Sequence, residues 1–180
     1  MTPNEVLALA KERFAPLYFN DDGQLANMLQ AALMMYQDKA GVMKSVKTSG
    51  TNISIATPDD CLEIASVQDA YGRFHECEND GETITIVTDT ESLPPFTIWY
   101  LVDLQNYDTD TDLPGGVAGT ILEYLIALID IPNTKRARAA AQATGRQIDL
   151  PSDEELLSRK LTIEADMADS QAFLPMMSVF

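Results

Sequence analysis

Histidine and tryptophan each occur once in this chain and cysteine twice, and lysine and arginine together supply only 12 of its 180 residues. Each shortage removes a chemistry. The single histidine, His75, offers no zinc cluster, and triad catalysis needs partners that the sequence does not place beside it. Its strand-like context reads as a half-buried structural position. Cys61 and Cys77 fit no zinc-ligand spacing and make no Cys-x-x-Cys motif; free thiols in a reducing cytoplasm are expected. Gly-x-Ser-x-Gly, phosphate-loop and dinucleotide-binding patterns are missing. The expectation is a protein that is not an enzyme and carries no cofactor or metal.

Positive charge is scarce. Against 28 Asp and Glu the 12 cations leave a net charge of −16. Tight binding to a phosphate backbone needs several Lys or Arg at each site, so nucleic acid is not expected as a tight ligand. The one dense basic group, Lys135, Arg136 and Arg138, reads as a solvated helix face or as an inter-subunit or phosphate contact. Asp108-Thr109-Asp110-Thr111-Asp112 follows the first half of a calcium loop. Leu113 then stands where glycine is needed and Gly119 where a bidentate Glu is needed, so a solvated acidic loop is expected.

Apolar runs are also limited. The longest, residues 113–132, contains Glu123, Asp130 and three glycines. At roughly 3 kcal/mol for each central acid, a buried core helix is expected and a membrane is not. The start of the chain reads as a capped helix and not as a basic-then-apolar leader, so the sequon Asn52-Ile53-Ser54 is expected to be chance.

Helical signals occupy both ends. Thr2-Pro3-Asn4-Glu5 is a capping box with proline at the first helical position, and Pro16 stops that helix. Leu25, Met28, Leu29, Ala32, Leu33 and Tyr36 form a helical stripe between Asp21-Asp22 and a terminating Gly41. After Pro114, one helix is expected over 116–130, another from Asn133 or Thr134 to Gly145, and a third from the capping box Ser152-Asp153-Glu154-Glu155 to about Phe173. Between the ends the period falls to two. Ile53 and Ile55, then Leu62 to Val67 with a slip at Ala65-Ser66, and residues 96–104 read as strands. Phe74–Cys77 and Thr83–Val87 flank the turn Asn79-Asp80-Gly81-Glu82.

The fold class is therefore α+β: a mainly helical bundle (1–50 and 114–173) with an inserted small antiparallel β module (51–113) and an extended apolar C-terminal tail (174–180). The tail region supplies Phe173, Leu174, Pro175, Met176, Met177, Val179 and Phe180, with Ser178 its one polar residue. These side chains call for burial, on the chain itself or on a partner. Burying the large ones is worth on the order of 10 kcal/mol, and ordering the segment costs a similar amount. One copy binds weakly, whereas an array fixed on a ring binds firmly.

The pattern resembles the head–tail adaptor proteins of tailed bacteriophages, the group that includes the tail tubular protein A of short-tailed phages. The matching residues are Leu25-x-x-x-Leu29-x-x-Ala32-Leu33-x-x-Tyr36-Gln37-Asp38-Lys39-Ala40-Gly41 and Thr57-Pro58-Asp59-Asp60-Cys61-Leu62-Glu63-Ile64, with the Ala- and acid-rich final helix and the extended C-terminus. The resemblance implies a twelve-fold ring beneath a portal, forming part of the DNA channel in the virion after assembly in the host cytoplasm. It also implies C-terminal segments (173–180) that reach the portal and a β module that meets the downstream tail protein. DNA would pass without specific binding. A head-completion or tail-terminator protein of another ring size, an acidic DNA-mimic inhibitor, and a hydrolase using Asp108 to Asp112 with a divalent metal are the rival readings.

Overall fold

The computed structural model describes residues 1–170, so the portal-contacting segment expected at 173–180 lies outside the described residues. Among the described residues, four helices and two small antiparallel sheets make the architecture α+β. Backbone contacts divide the chain into a helical unit (1–40 and 107–170) and a β unit (41–106). Strand β1 (Met43–Lys47) precedes Gly50 and belongs to the β unit, which moves the boundary earlier than expected.

In the helical unit, α1 (Pro3–Glu12) begins with the capping box anticipated from Thr2 and Glu5. Helix α2 (Asp22–Lys39) is capped by the Asp21 carboxylate and followed by Gly41 at φ 69°. Its stripe buries Leu25, Leu29, Ala32, Leu33 and Tyr36. Helix α3 (Val117–Thr144) touches α1, α2 and α4 (Asp153–Asp169), and buries Ile121, Tyr124, Leu125, Ala127 and Ile129. It is long and apolar enough to cross a bilayer, yet the other three helices pack on it.

Helix α3 runs unbroken through Pro132, where two helices were expected. Proline deletes one main-chain bond and costs about 3 kcal/mol in a helix interior. The buried face outweighs that loss, because it continues past the proline as Asn133, Thr134, Ala137 and Ala141. Asn133 also ties in the segment after Pro16: its Oδ1 accepts the Tyr18 N–H (2.7 Å) and the Phe19 N–H (3.1 Å). Helix α4 carries the second capping box, on Ser152 and Glu155, and ends at Asp169, short of the expected Phe173.

The β unit holds a four-stranded sheet, in the order β1, β7 (Thr97–Val102), β3 (Cys61–Gln68), β4 (Phe74–His75). A three-stranded sheet follows the order β2 (Ser54–Ala56), β6 (Thr83–Ile86), β5 (Cys77–Asn79). The slip read at Ala65-Ser66 is a register shift of β3 against β7 between Ile64 and Ser66. Phe74 to Cys77 is not one hairpin arm. The chain changes sheets at Glu76, so His75 pairs with Val67 while Cys77 pairs with Ile86. Both sheets contribute to one core of Val67, Ile84, Ile86, Phe96 and Ile98. The Pro58-Asp59-Asp60 motif has a structural use here. Asp60 accepts from Lys44 of β1 (2.6 Å) and from the Tyr100 hydroxyl of β7 (3.1 Å).

Replacing Asn133 with Ala should lower stability by about 2–4 kcal/mol, since two N–H donors lose one shared acceptor. Ser152→Ala, which removes only a helix cap, should cost about 1 kcal/mol. Chemical denaturation followed by helical circular dichroism measures both, and equal costs would remove the structural role assigned to Asn133.

Candidate functional site

A cluster of ionisable groups joins two loops of the β unit. Asp69 follows β3 and folds the chain back through Gly72, at φ 79°, into β4. Its carboxylate is fully buried. Oδ1 accepts the N–H groups of Tyr71 (2.9 Å) and Arg73 (3.0 Å), and Oδ2 accepts Arg73 Nε (2.9 Å). The second loop, between β6 and β7, turns on Asp89 and Ser92. The Ser92 hydroxyl donates to Asp89 Oδ1 (2.7 Å) and accepts the Asp89 N–H (2.8 Å). Four contacts fasten one loop to the other: Ala70 N–H to the Leu93 carbonyl (2.9 Å), Leu93 N–H to Asp69 Oδ2 (3.4 Å), Arg73 to the Glu91 carboxylate (3.3 Å), and Arg73 to the Glu91 carbonyl.

His75 lies between the loops, 9% exposed at its side chain and edge-on to Phe96 at 5.4 Å. The residue as a whole is half-buried, as its strand context indicated. Nε2 is 3.5 Å from Asp69 Oδ2, and Nδ1 is 3.5 Å from Ser92 Oγ. Asp69, His75 and Ser92 thus follow the order of a nucleophilic triad, with partners that sequence reasoning did not find. The geometry is that of a lock. Both histidine contacts are long, and the Ser92 hydroxyl donates to Asp89.

Electrostatics agree with that role. Burial works against the charged form of Asp69, but N–H bonds from Arg73 and Tyr71, with the Arg73 guanidinium and His75, hold its carboxyl well below the usual carboxylate range. Asp89 is lowered by the Ser92 hydroxyl, the Glu91 N–H and the nearby His75. Burial pushes the Cys61 and Cys77 thiols up, and both are half-buried.

This frame presents a shallow depression lined by Tyr71, Arg73, Thr90, Glu91 and Leu93. Tyr71 is 77% exposed at its rim and Leu93 is 43% exposed. An aromatic carried on a loop whose backbone is already fixed loses little freedom on contact, which suits a protein-binding anchor. The signal in the sequence was Asp69-Ala70-Tyr71-Gly72-Arg73, a carboxylate that bonds its own turn beside a glycine.

The basic group on α3 is drawn into its own chain. Arg136 stacks over Phe19 at 4.6 Å and donates to the Tyr18 carbonyl (3.1 Å). Arg138 pairs with Asp153 (2.5 Å) and donates to the Pro151 carbonyl. Lys135 is exposed on the same turn and adds to the field that lowers Asp153. The Asp108 to Asp112 loop fastens α1: Asp110 accepts from the Asn4 side chain (2.8 Å), and Asp112 pairs with the Met1 amino group (2.5 Å). No protein-family model matches the chain, and no curated protein matches it in sequence.

Because the native Asp69 carboxyl titrates below its unfolded counterpart, its contribution is complete above the ordinary carboxylate range and is lost as pH falls. Asp69→Asn should cost about 3 kcal/mol at pH 7, and the gap to the parent protein should narrow from about pH 5 downward. Urea unfolding read at Trp99, on β7, tests this; a gap independent of pH would contradict it. Tyr71→Ala should change stability by less than about 0.5 kcal/mol.

Proposed function

We propose that this chain is a non-enzymatic head–tail adaptor of a tailed bacteriophage, joining a portal ring to the next tail component. In this reading the four helices form a bundle that carries the β unit, and copies assemble as a dodecameric ring around the DNA channel. Residues 173–180 engage the portal, and the loops around Tyr71 and Leu93 meet the downstream tail protein. The observation that supports it is the pair of fastened loops, which presents exposed Tyr71 and Leu93 as a surface for contact.

Charge supports the same reading. A net charge of −16 suits a passage that retains and then ejects a genome, because a phosphate backbone finds few contacts that release counterions. With Arg136 and Arg138 engaged within the chain, exposed Lys135 is the cation of that strip best placed for a neighbouring subunit or a phosphate. The protein would belong to the virion after assembly in the host cytoplasm.

Mixing the purified protein with portal rings and weighing the particles tests the proposal. The expected result is a portal whose mass rises by a full ring of 19.8 kDa subunits. Deleting residues 174–180 should leave circular dichroism and melting unchanged while abolishing the mass increase. A particle with another subunit count would favour a head-completion or tail-terminator role. Failure to bind any portal, with tight binding to a DNA-processing enzyme, would replace the proposal with a DNA-mimic inhibitor.

A further inference from the structure

Helix α4 is apolar on two faces. One, with Leu156, Ile163 and Met167, is buried in the helical unit. The other is open: Leu157 is 51% and Leu161 60% exposed, and with Ala165 they line a shallow trough. The row Leu157, Leu161, Ala165 advances four residues at a time, and so does the row Glu154, Ser158, Thr162 beside it. Two such rows leave between them a groove that takes the side-chain ridge of a second helix. The small side chains of Ser158 and Ala165 leave room for a close approach.

Charge selects the kind of helix. Both cations of α4 are engaged within the helical unit: Arg159 pairs with Asp130 of α3 (3.8 Å), and Lys160 pairs with Glu164. The exposed acids near the two ends of the open strip are not. Among the described residues, neither Glu154 nor Asp169 forms an ion pair. These two lie about 22 Å apart along the helix axis. The last turn of α4 holds no basic residue. A cation brought there from outside meets Asp169 and the negative pole of the helix together. A second copy of α4, run in either direction, sets acid against acid in chains that each carry −16, and like charges at that range repel.

We propose that the open face of α4 docks a basic amphipathic helix of another protein, about four turns long, with apolar residues every third or fourth position and a Lys or Arg at each end. Its apolar ridge lies between the two rows of α4, and its end cations meet Glu154 and Asp169. Burial of Leu157 and Leu161 supplies affinity. The charges supply orientation and speed of encounter. The inference does not rest on the adaptor reading, which uses other surfaces of the chain.

The probe is a synthetic helical peptide with leucines at that spacing and lysines at its ends, titrated into the full-length chain and followed by fluorescence anisotropy. Two companion peptides separate the causes. One carries Glu in place of each Lys, and the other keeps the composition but sets the leucines out of helical register. The basic striped peptide should bind at least about tenfold more tightly than either. Leu161→Asp should weaken that binding about tenfold or more with an unchanged melting temperature; should that variant unfold, Leu161→Ser serves the same comparison. Glu154→Gln combined with Asp169→Asn should remove most of the preference for lysine over glutamate and keep the preference for the stripe. No binding by the striped peptide would overturn the inference. Equal binding by the out-of-register peptide would also overturn it, since net charge alone would then account for the attraction. Binding seen only after the chain is ended at residue 170 would assign the face to the chain's own last residues and overturn it. Self-association abolished by Leu161→Asp would do the same in favour of a second copy.

Discussion

With 28 carboxylates and 12 cations, most acids in this protein cannot be neutralised by a lysine or arginine, and the structure is organised around the alternative acceptor role. Carboxylates bond main-chain N–H groups instead. Asp21, Glu5 and Glu155 serve helix starts. Asp69, Asp80, Asp89, Asp103 and Asp108 each close a turn through the N–H groups just downstream. A charged acceptor strengthens such a bond, and the unpaired donors of a turn or helix end are where it is most useful. The surplus negative charge is therefore structural before it is functional. The same bonds lower the carboxyls of Asp80, Asp108 and Glu155, and at Asp89 the Ser92 hydroxyl acts first and the Glu91 N–H second.

The few cations have correspondingly specific posts. Arg73 pairs with Asp69, the one buried carboxylate among the described residues, Lys44 reaches Asp60, Arg138 holds the segment leading into α4, and Lys160 shares Glu164 with the Tyr124 hydroxyl. Burial and the Glu164 contact together push the Tyr124 phenol up. Little positive charge is left to grip a polyanion.

Local chemistry was legible, and pairing across long separations was not. The capping boxes at Thr2 and Ser152, the stripe on α2 and the slip at Ala65-Ser66 all depend on residues a few positions apart, and the structure has each of them. Strand β1 went unread because Met43 to Lys47 shows weak alternation; its pairing with Thr97 to Leu101 is what orders it. Pro132 misled because a local penalty was outweighed by a buried face supplied by distant helices. The change of sheet at Glu76 and the meeting of Asp69 with Ser92 depend on the same long-range pairing. Of the candidate site, the turn at Asp69 could be read, while the second loop and the engagement of Arg136 and Arg138 required the fold.

The two ends of α4 are built unequally. Ser152 and Glu155 close its first turn, where Asp153 and Glu154 favour the positive pole of the backbone dipoles. The last turn has no basic residue and carries Asp166 and Asp169 at the negative pole. The acids at that pole weaken the closing turn, yet Met167 within it is fully buried and Ser170 caps it. The helix is thus secured at its start by polar caps and at its finish by one apolar side chain.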